Sequence, residues 1–520
     1  MTTGKDVSFW TLIAEAAQRE PNRRLFADDH GRSLSARELR DAARATAAAF
    51  AERGIGAGTV VSWQLPTMLE TVVVMAALAR LGAVQNPIIP ILREREVAFI
   101  TGQLSTEFLV VPEVWRGFDH GALARSLAAA QGFEAITVDL ATPPCAGELR
   151  LPRADADALA AVTGGDNQWI YYSSGTTAAP KGIRHTDSTV IAGSRGMVAA
   201  MGITADDVDP IAFPIAHIGG AAMIAAALMT GMRLALFEVF DPVATPRAIA
   251  AHNPTFLGTA TPFFVAFLEA QRAHGDRPLF GALRGCIAGG APITAELGRQ
   301  VRETFGTAGI ANAWGMTEFP VATSPSLDAP PEVLDYTVGA PVPGVSVRVV
   351  DNRENELPVG QEGELRLKGP QCFLGYADAT LDAAAFDEDG WLRTGDLGLI
   401  DADGNVRVTG RIKDAIIRNA ENISALEIEN VLATHPAVAD VAVIGVPDHS
   451  AGERVCAVVV PASADGVSLE SLVRHCHSLG LSRYKHPERL VIVDTLPRNQ
   501  FGKVIKKELR EAISTKKAGL

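Results

Sequence analysis

The chain is poor in cysteine, and what it has is odd in number. Cys145, Cys286, Cys372, Cys456 and Cys476 are five in 520 residues with no metal-ligand spacing, so they read as reduced thiols and imply no disulfide framework. Long hydrophobic runs are also missing. The most apolar stretches are broken by Arg80 and Arg233 well short of a bilayer span, and Met1-Thr2-Thr3-Gly4-Lys5-Asp6 lacks the apolar core of a signal peptide. The expectation is a cytoplasmic protein with no integral membrane segment. Positive charge is in deficit: 47 Lys and Arg against 60 Asp and Glu leave a net −13, which argues against a nucleic-acid surface. Repeats and low-complexity tracts are absent too; the alanine-rich helices only reflect composition.

What is present is a hydrophobic fraction of 47% and a charged fraction of 21%, those of a globular protein with a sizeable core. The length suggests about three domain-sized units, although large α/β enzymes often merge them. Helical periodicity over 36–53 and 69–82 alternates with β-rich runs at 59–64 and 108–111. From Val338 the texture changes to short strands punctuated by Gly and Pro, such as 345–350 and 363–368. A compact unit with strands near 441–445 and 455–460 begins where Gly410-Arg411-Ile412-Lys413-Asp414 interrupts two apolar runs. The spacing predicts a multi-domain α/β chain: an N-terminal body over 1–411, made of α/β subdomains plus a β-rich subdomain, and a small α+β domain over 412–520.

Chemistry concentrates first in Tyr171-Tyr172-Ser173-Ser174-Gly175-Thr176-Thr177-Ala178-Ala179-Pro180-Lys181-Gly182. Gly175 lets backbone approach an anion with no Cβ in the way. Ser173, Ser174, Thr176 and Thr177 offer rotatable donors, and Lys181 adds positive charge. A nucleoside triphosphate is the ligand this composition suits. The common P-loop is excluded, because there Gly-Lys is followed by Ser or Thr, whereas here Lys181 lies between Pro180 and Gly182. Taken alone, the stretch also fits a surface turn, the lesser of the two readings.

Further clusters supply the other groups that phosphate chemistry needs. Asn312-Ala313-Trp314-Gly315-Met316-Thr317-Glu318 sets a carboxylate beside a hydroxyl after a glycine turn, so Glu318 can hold magnesium while Thr317 donates to a phosphate oxygen. Without the phosphate loop this would be a helix cap or a solvated acid. Gly289-Gly290-Ala291-Pro292 leaves bare backbone against which a flat ring could lie. Asp396 offers an acceptor pair matched to vicinal ribose hydroxyls, and Arg411, fifteen positions on, offers a fork of donors.

In this order, and over nearly the whole chain, these motifs resemble the adenylate-forming (AMP-binding) superfamily of acyl-CoA synthetases, luciferases and peptide-synthetase adenylation domains. The family's loop usually reads Thr-Ser-Gly-Thr-Thr-Gly-x-Pro-Lys-Gly; Ala178 replaces a glycine, which implies a stiffer loop without loss of activity. The resemblance puts Asn312 at the adenine edge, Gly289, Gly290, Ala291 and Pro292 at the adenine-binding strand end, and Ala313, Trp314, Gly315 and Met316 alongside. Trp314 stands where the family has Tyr and would wall the adenine and acyl sites. Asp396 and Arg411 become the ribose clamp. His217, in Phe213-Pro214-Ile215-Ala216-His217, falls between the acyl pocket and the α-phosphate. Lys503, in Arg498-Asn499-Gln500-Phe501-Gly502-Lys503, matches the catalytic lysine on a mobile lid. Its ammonium would offset the repulsion between a carboxylate and the α-phosphorus. Lys506 and Lys507 read as surface charge. Lys413 matches the hinge, and 417–424 matches the segment lining a pantetheine channel, with Asn419-Ala420 where Gly-Gly is common.

The resemblance implies an ATP-dependent carboxylic acid:CoA ligase, an acyl-CoA synthetase using ATP, magnesium and coenzyme A, as a monomer or homodimer. No acid follows His217 as far as Met223 to pair a substrate ammonium, so the acid is expected to lack an α-amino group. Gly219, Gly220, Ala221 and Ala222 suggest space and Phe263, Phe264, Trp314 and Met316 apolar walls, hence a roomy neutral pocket. The stretches 62–66, 86–90 and 93–96 resemble synthetases of short- to medium-chain and cyclohexane-type acids. Medium-chain, alicyclic, aromatic or steroid side-chain acids follow as candidates. Two rivals stand beside this reading. One is a stand-alone adenylation enzyme loading a carrier protein, although no carrier domain follows Lys503. The other is a non-catalytic nucleotide-binding regulator, disfavoured by the presence of Lys503, Glu318 and Thr317. No feature favours luciferase-like oxygenation.

Overall fold

The computed structural model describes residues 7–140, 149–159, 166–173, 180–418, 421–448, 452–463, 466–499 and 502–516. The predicted helices form where their sequence signals stand. Ala36–Glu52 starts in a capping box: Glu38 N–H donates to Ser35 Oγ at 3.3 Å, and the Glu38 carboxylate accepts from Ser35 N–H at 2.7 Å. Leu69–Leu81, apolar on every side, is buried over most of its length and stops at Gly82, whose φ of 71° suits glycine.

These helices cover a six-stranded sheet in the spatial order Lys181–Thr186, Gln168–Ser173, Val84–Pro87, Val60–Trp63, Phe108–Pro112 and Glu134–Val138. It is parallel apart from its first strand, which runs against Gln168–Ser173 with Lys181 opposite Ser173. A second, five-stranded sheet begins with three parallel strands, Phe256–Thr259, Gly285–Gly289 and Ile310–Met316, and continues antiparallel through Phe319–Ser324 and Ala340–Pro341. A four-stranded antiparallel sheet, Ser346–Val350, Gly363–Lys368, Leu392–Ile400 and Val406–Arg411, is the β-rich subdomain.

The chain then changes sheet. Ile416–Arg418, Glu421–Ile423, Val438–Asp448, Gly452–Pro461 and Arg489–Ile492 form the small unit's sheet, with Ala425–Leu432, Leu469–Ser478 and Lys506–Lys516 as its helices. Its core, around Ile428, Leu432, Val443, Ala457 and Cys476, is separate from the body's. Among the described residues no helix is long and apolar enough to cross a membrane. Cys286, Cys372, Cys456 and Cys476 are free thiols; Cys145 lies outside the described residues.

Candidate active site

The six- and five-stranded sheets of the body bring the motifs together at the carboxyl ends of their strands, where α/β proteins bind ligands. Ser173 closes one strand and Lys181 opens its neighbour. Ser174, Gly175, Thr176 and Thr177 lie outside the described residues. Lys181 Nζ stands 5.0 Å from the centre of the Tyr376 ring. Gly182 is needed here: a Cβ would fall 2.9 Å from Ala377 Cβ and 3.0 Å from the Tyr172 hydroxyl.

Thr317 and Glu318 form the turn between Ile310–Met316 and Phe319–Ser324, and it is held at three points. His185 Nε2 donates to the Thr317 carbonyl at 2.7 Å, Phe373 N–H donates to the Glu318 carbonyl at 2.9 Å, and the Tyr376 hydroxyl donates to Glu318 Oε1 at 3.0 Å. Because a carbonyl only accepts, His185 carries its proton on Nε2, and Nδ1 faces the Thr189 hydroxyl at 2.9 Å. Burial pushes this imidazole down to about 4, so it stays neutral. Val321, in the next strand, has φ 54°, a strained conformation for a β-branched residue.

Asn312 and Gly289 lie on neighbouring strands, with Gly289 opposite Ala313. A Cβ on Gly289 would meet only the Ala313 carbonyl, at 3.5 Å; Gly290 has φ 78°, Ala291 is half-buried and Pro292 is exposed. This strand end is open. Asn312 Oδ1 is buried with no donor among the described residues, an acceptor suited to an exocyclic amine such as that of adenine.

Asp396 is buried opposite Arg411 in the antiparallel register. Its Oδ2 accepts from Trp314 Nε1 at 2.9 Å, while Oδ1 lies 2.8 Å from Arg411 Nε. That ion pair is close but misaligned, leaving Oδ1 without a hydrogen-bond donor among the described residues and available to a sugar hydroxyl. Lys503 arrives from the small unit on a hairpin in which Asn499 N–H donates to the Lys503 carbonyl at 2.9 Å, and Asn499 Oδ1 accepts from Lys503 N–H at 3.0 Å. Gly502, φ 71°, rests against the body: a Cβ there would lie 2.6 Å from Pro262 Cδ. Arg498 fixes the base of the hairpin through both oxygens of Asp440, at 2.8 and 2.6 Å. Burial first, then the nearby Arg411 and Lys413, lower the Lys503 ammonium to about 8 against the opposing pull of Asp396 and Asp414.

Glu318 gives Oε1 to Tyr376 and retains Oε2 for a cation. No group of three or more metal-ligating side chains occurs among the described residues. A single carboxylate completed by phosphate oxygens and water is what magnesium accepts, so the residues fit that ion when it arrives with a triphosphate.

Residues 13–377 match the family described as AMP-binding enzyme, and residues 427–503 match AMP-binding enzyme C-terminal domain. The chain belongs to the AMP-binding enzymes. It is 32% identical over 519 residues to the medium-chain fatty-acid–CoA ligase of Escherichia coli (strain K12), with 98% of this chain and 91% of that one covered. The 2,3-dihydroxybenzoate-AMP ligase of Bacillus subtilis (strain 168) is 32% identical over 492 residues, covering 93% and 89%. ATP-bound MatB from Rhodopseudomonas palustris matches with a TM-score of 0.85 and 28% identity, over 97% of this chain and 99% of that one. Adenylate-forming enzymes use ATP with magnesium, and their CoA-ligase members take coenzyme A as co-substrate.

In this AMP-binding enzyme several expected positions differ from what the sequence suggests. His217 caps the start of Ile218–Thr230, and burial pushes it down to about 4. It borders a cavity, shared with Pro87, Ile89, Tyr171, Tyr172 and Thr317, of only about 10 Å³, room for one water. Among the described residues, the cavity at His217 is not the roomy pocket expected. Ala221, Ala222 and Phe264 are core residues, Phe263 packs on Phe240 at 4.2 Å between ring centres, and a Cβ on Gly220 would fall 2.2 Å from the Ile215 carbonyl oxygen. The cause is that Ile218–Thr230 is apolar all round and is packed on all sides, so its small residues admit neighbours, not ligand. Met316 and Gly219 remain half-buried.

Trp314 is likewise buried, in a cluster with Ile183, Phe319 and Val338, and its Nε1 donates to Asp396. Lys506 is not surface charge: its Nζ is 2.7 Å from Glu429 Oε1, both largely buried, whereas Lys507 is exposed. Asn419 and Ala420 lie outside the described residues. His185 and Tyr376 escape sequence reasoning altogether. Each sits singly on a strand or turn, and only long-range pairing brings it to Thr317 and Glu318.

Proposed function

We propose that the chain is an ATP-dependent carboxylic acid:CoA ligase with the division 1–411 and 412–520. The reading is supported above all by the approach of the Lys503 hairpin of the small unit to the body, where Gly502 rests against Pro262 and the charges of the Asp396–Arg411 pair bear on the lysine. In the first step a carboxylate oxygen of the acid attacks the α-phosphorus of ATP, the bond to pyrophosphate breaks, and an acyl adenylate forms. Lys503 offsets the repulsion of the two anions and stabilises charge in the transition state. Asp396 and Arg411 hold the ribose, Asn312 accepts from the adenine amine, and Gly289, Gly290, Ala291, Pro292 and Ala313 leave the ring's path clear, whereas Gly315 packs against the backbone of Phe319 and Val321. Ser173, Ser174, Gly175, Thr176, Thr177 and Lys181 take the phosphates, with Thr317 donating to one of their oxygens. Magnesium, held by Glu318, neutralises the phosphate charge when bound. His217, neutral at the acyl end, orients the carboxylate. In the second step the thiol of coenzyme A attacks the acyl carbonyl, AMP leaves and a thioester forms.

The substrate proposed is a medium-chain, alicyclic, aromatic or steroid side-chain acid, admitted by side-chain rearrangement around the narrow cavity at His217. A relative named salicyl-AMP ligase / salicyl-S-ArCP synthetase, from Mycobacterium tuberculosis and 32% identical over 519 residues, favours a second reading, transfer to a carrier-protein thiol. A panel of such acids, assayed for AMP release with and without coenzyme A and for the thioester product, tests both. Coenzyme A-dependent AMP release with one class of acid is expected. Adenylate formation that coenzyme A never discharges would favour the carrier reading, and preference for acetate or an amino acid would overturn the substrate class.

A further inference from the structure

Residues 374–377 run as an added strand along Lys181–Thr186. Leu374 N–H donates to the Arg184 carbonyl at 2.8 Å, Arg184 N–H to the Gly375 carbonyl at 3.0 Å, and Ala377 N–H to the Gly182 carbonyl at 2.7 Å. Ile183 and Tyr376 are bridge partners. Asp382 completes the mount by accepting from Tyr376 N–H at 2.7 Å. Gly375 is required before it, since φ is 117° and a Cβ would fall 2.6 Å from Asp382 Oδ2. Tyr376, 7% exposed, is therefore fixed by backbone on one side and by its ring contact with Phe373, 4.9 Å between centres, on the other.

From that mount the side chain reaches two groups that lie far apart in sequence. Its hydroxyl donates to Glu318 Oε1 at 3.0 Å, and its ring face lies 5.0 Å from Lys181 Nζ. We propose that Tyr376 is a positioning residue that couples the Glu318 carboxylate to the Lys181 ammonium, so that one carboxylate oxygen and one ammonium are presented together to a metal–triphosphate. The inference rests on the nucleotide reading given above. Its logic is that of an outer-shell partner: the hydrogen bond occupies Oε1, fixes the rotation of the carboxylate, and leaves Oε2 as the single oxygen for the ion. The ring holds the lysine head by cation–π attraction without neutralising it, as a carboxylate would.

The test compares wild type, Tyr376→Phe and Tyr376→Leu on the full chain. ATP binding is titrated calorimetrically with and without magnesium, and Mn²⁺ binding in the presence of ATP is followed by electron paramagnetic resonance. In Tyr376→Phe the ring stays and the hydroxyl goes. ATP binding without metal should stay within about twofold, while affinity for the ion falls roughly 10- to 100-fold, the usual effect of losing such a partner. In Tyr376→Leu the metal-free binding should fall as well, because Lys181 loses its platform. A merely structural tyrosine would lower the melting temperature and leave the metal dependence of the folded protein unchanged. Wild-type metal affinity in Tyr376→Phe overturns the inference alone; a wild-type protein that binds no ATP overturns the nucleotide reading and this inference with it.

Discussion

The role proposed for Lys503 asks it to carry charge at a place that disfavours charge. Burial, Arg411 and Lys413 lower its ammonium to about 8. A depressed lysine is protonated below that value and loses its proton as pH rises through it. The first half-reaction should therefore weaken above about pH 8 in kcat/KM for ATP, which reports the free enzyme. His217 and His185, both held near 4, stay neutral across the working range and add no break there. Lys503→Ala should abolish that alkaline limb and slow pyrophosphate exchange about 10²- to 10³-fold. Thioester formation from supplied acyl adenylate should change much less. Equal loss in both half-reactions would make the lysine structural. The same scale shows why some roles were legible in sequence and others were not. Lys503, Glu318 and Asp396 sit in spaced motifs whose chemistry can be read from residue type. Trp314 cannot be assigned that way, because whether an indole walls a ligand or donates to Asp396 depends on the packing of Ile183, Phe319 and Val338 around it.

Among the elements, Asp187–Met201 shows what local pattern misses. Its first residue is a buried carboxylate that gathers three donors: Phe9 N–H at 2.9 Å, Trp169 Nε1 at 2.6 Å and Asn167 Nδ2 at 3.1 Å. One side chain thus joins the helix Phe9–Arg19, the strand Gln168–Ser173 that leads into the phosphate loop, and its own helix. Asp187→Asn replaces one acceptor oxygen with a donor facing donors. The expected cost is about 1–3 kcal/mol, the penalty of an unmet buried polar group. A urea titration followed by tryptophan fluorescence should show the midpoint fall with the slope unchanged; an unmoved midpoint would mean water or a side-chain flip repairs the site. Periodicity had disclosed Ala36–Glu52, Leu69–Leu81, Phe108–Pro112 and Gly363–Lys368 to within a residue or two, since their apolar spacing and their stops, such as Gly82, are local. The added strand at 374–377 and the closed packing around Ile218–Thr230 were not local, and the small residues at 219–222 therefore read as space.

At the scale of the whole molecule the proposed second step asks where the small unit would turn. Arg411 belongs to the body's last strand and pairs with Asp396, so it must stay. Asp414 belongs to the small unit: Arg510 Nη2 reaches its Oδ1 at 3.1 Å, and the neighbouring Lys506 is locked to Glu429 at 2.7 Å. Arg498 holds the lysine hairpin to Asp440 in the same unit. Asp414 and the Lys503 hairpin are thus tied into one piece, and only Ile412 and Lys413 lie between the two anchors. A hinge is a short segment that absorbs the dihedral change while both sides move rigidly. Lys413→Pro would fix φ and remove an N–H, and the family's hinge position leads us to expect retention of the adenylating arrangement. Pyrophosphate exchange should then remain near wild type while transfer to coenzyme A is badly impaired. Lys413→Ala keeps its backbone free and should spare the transfer step far more. Measuring both half-reactions on both variants decides it: a proline variant that makes thioester at the wild-type rate would show that the rotation does not pivot at Lys413.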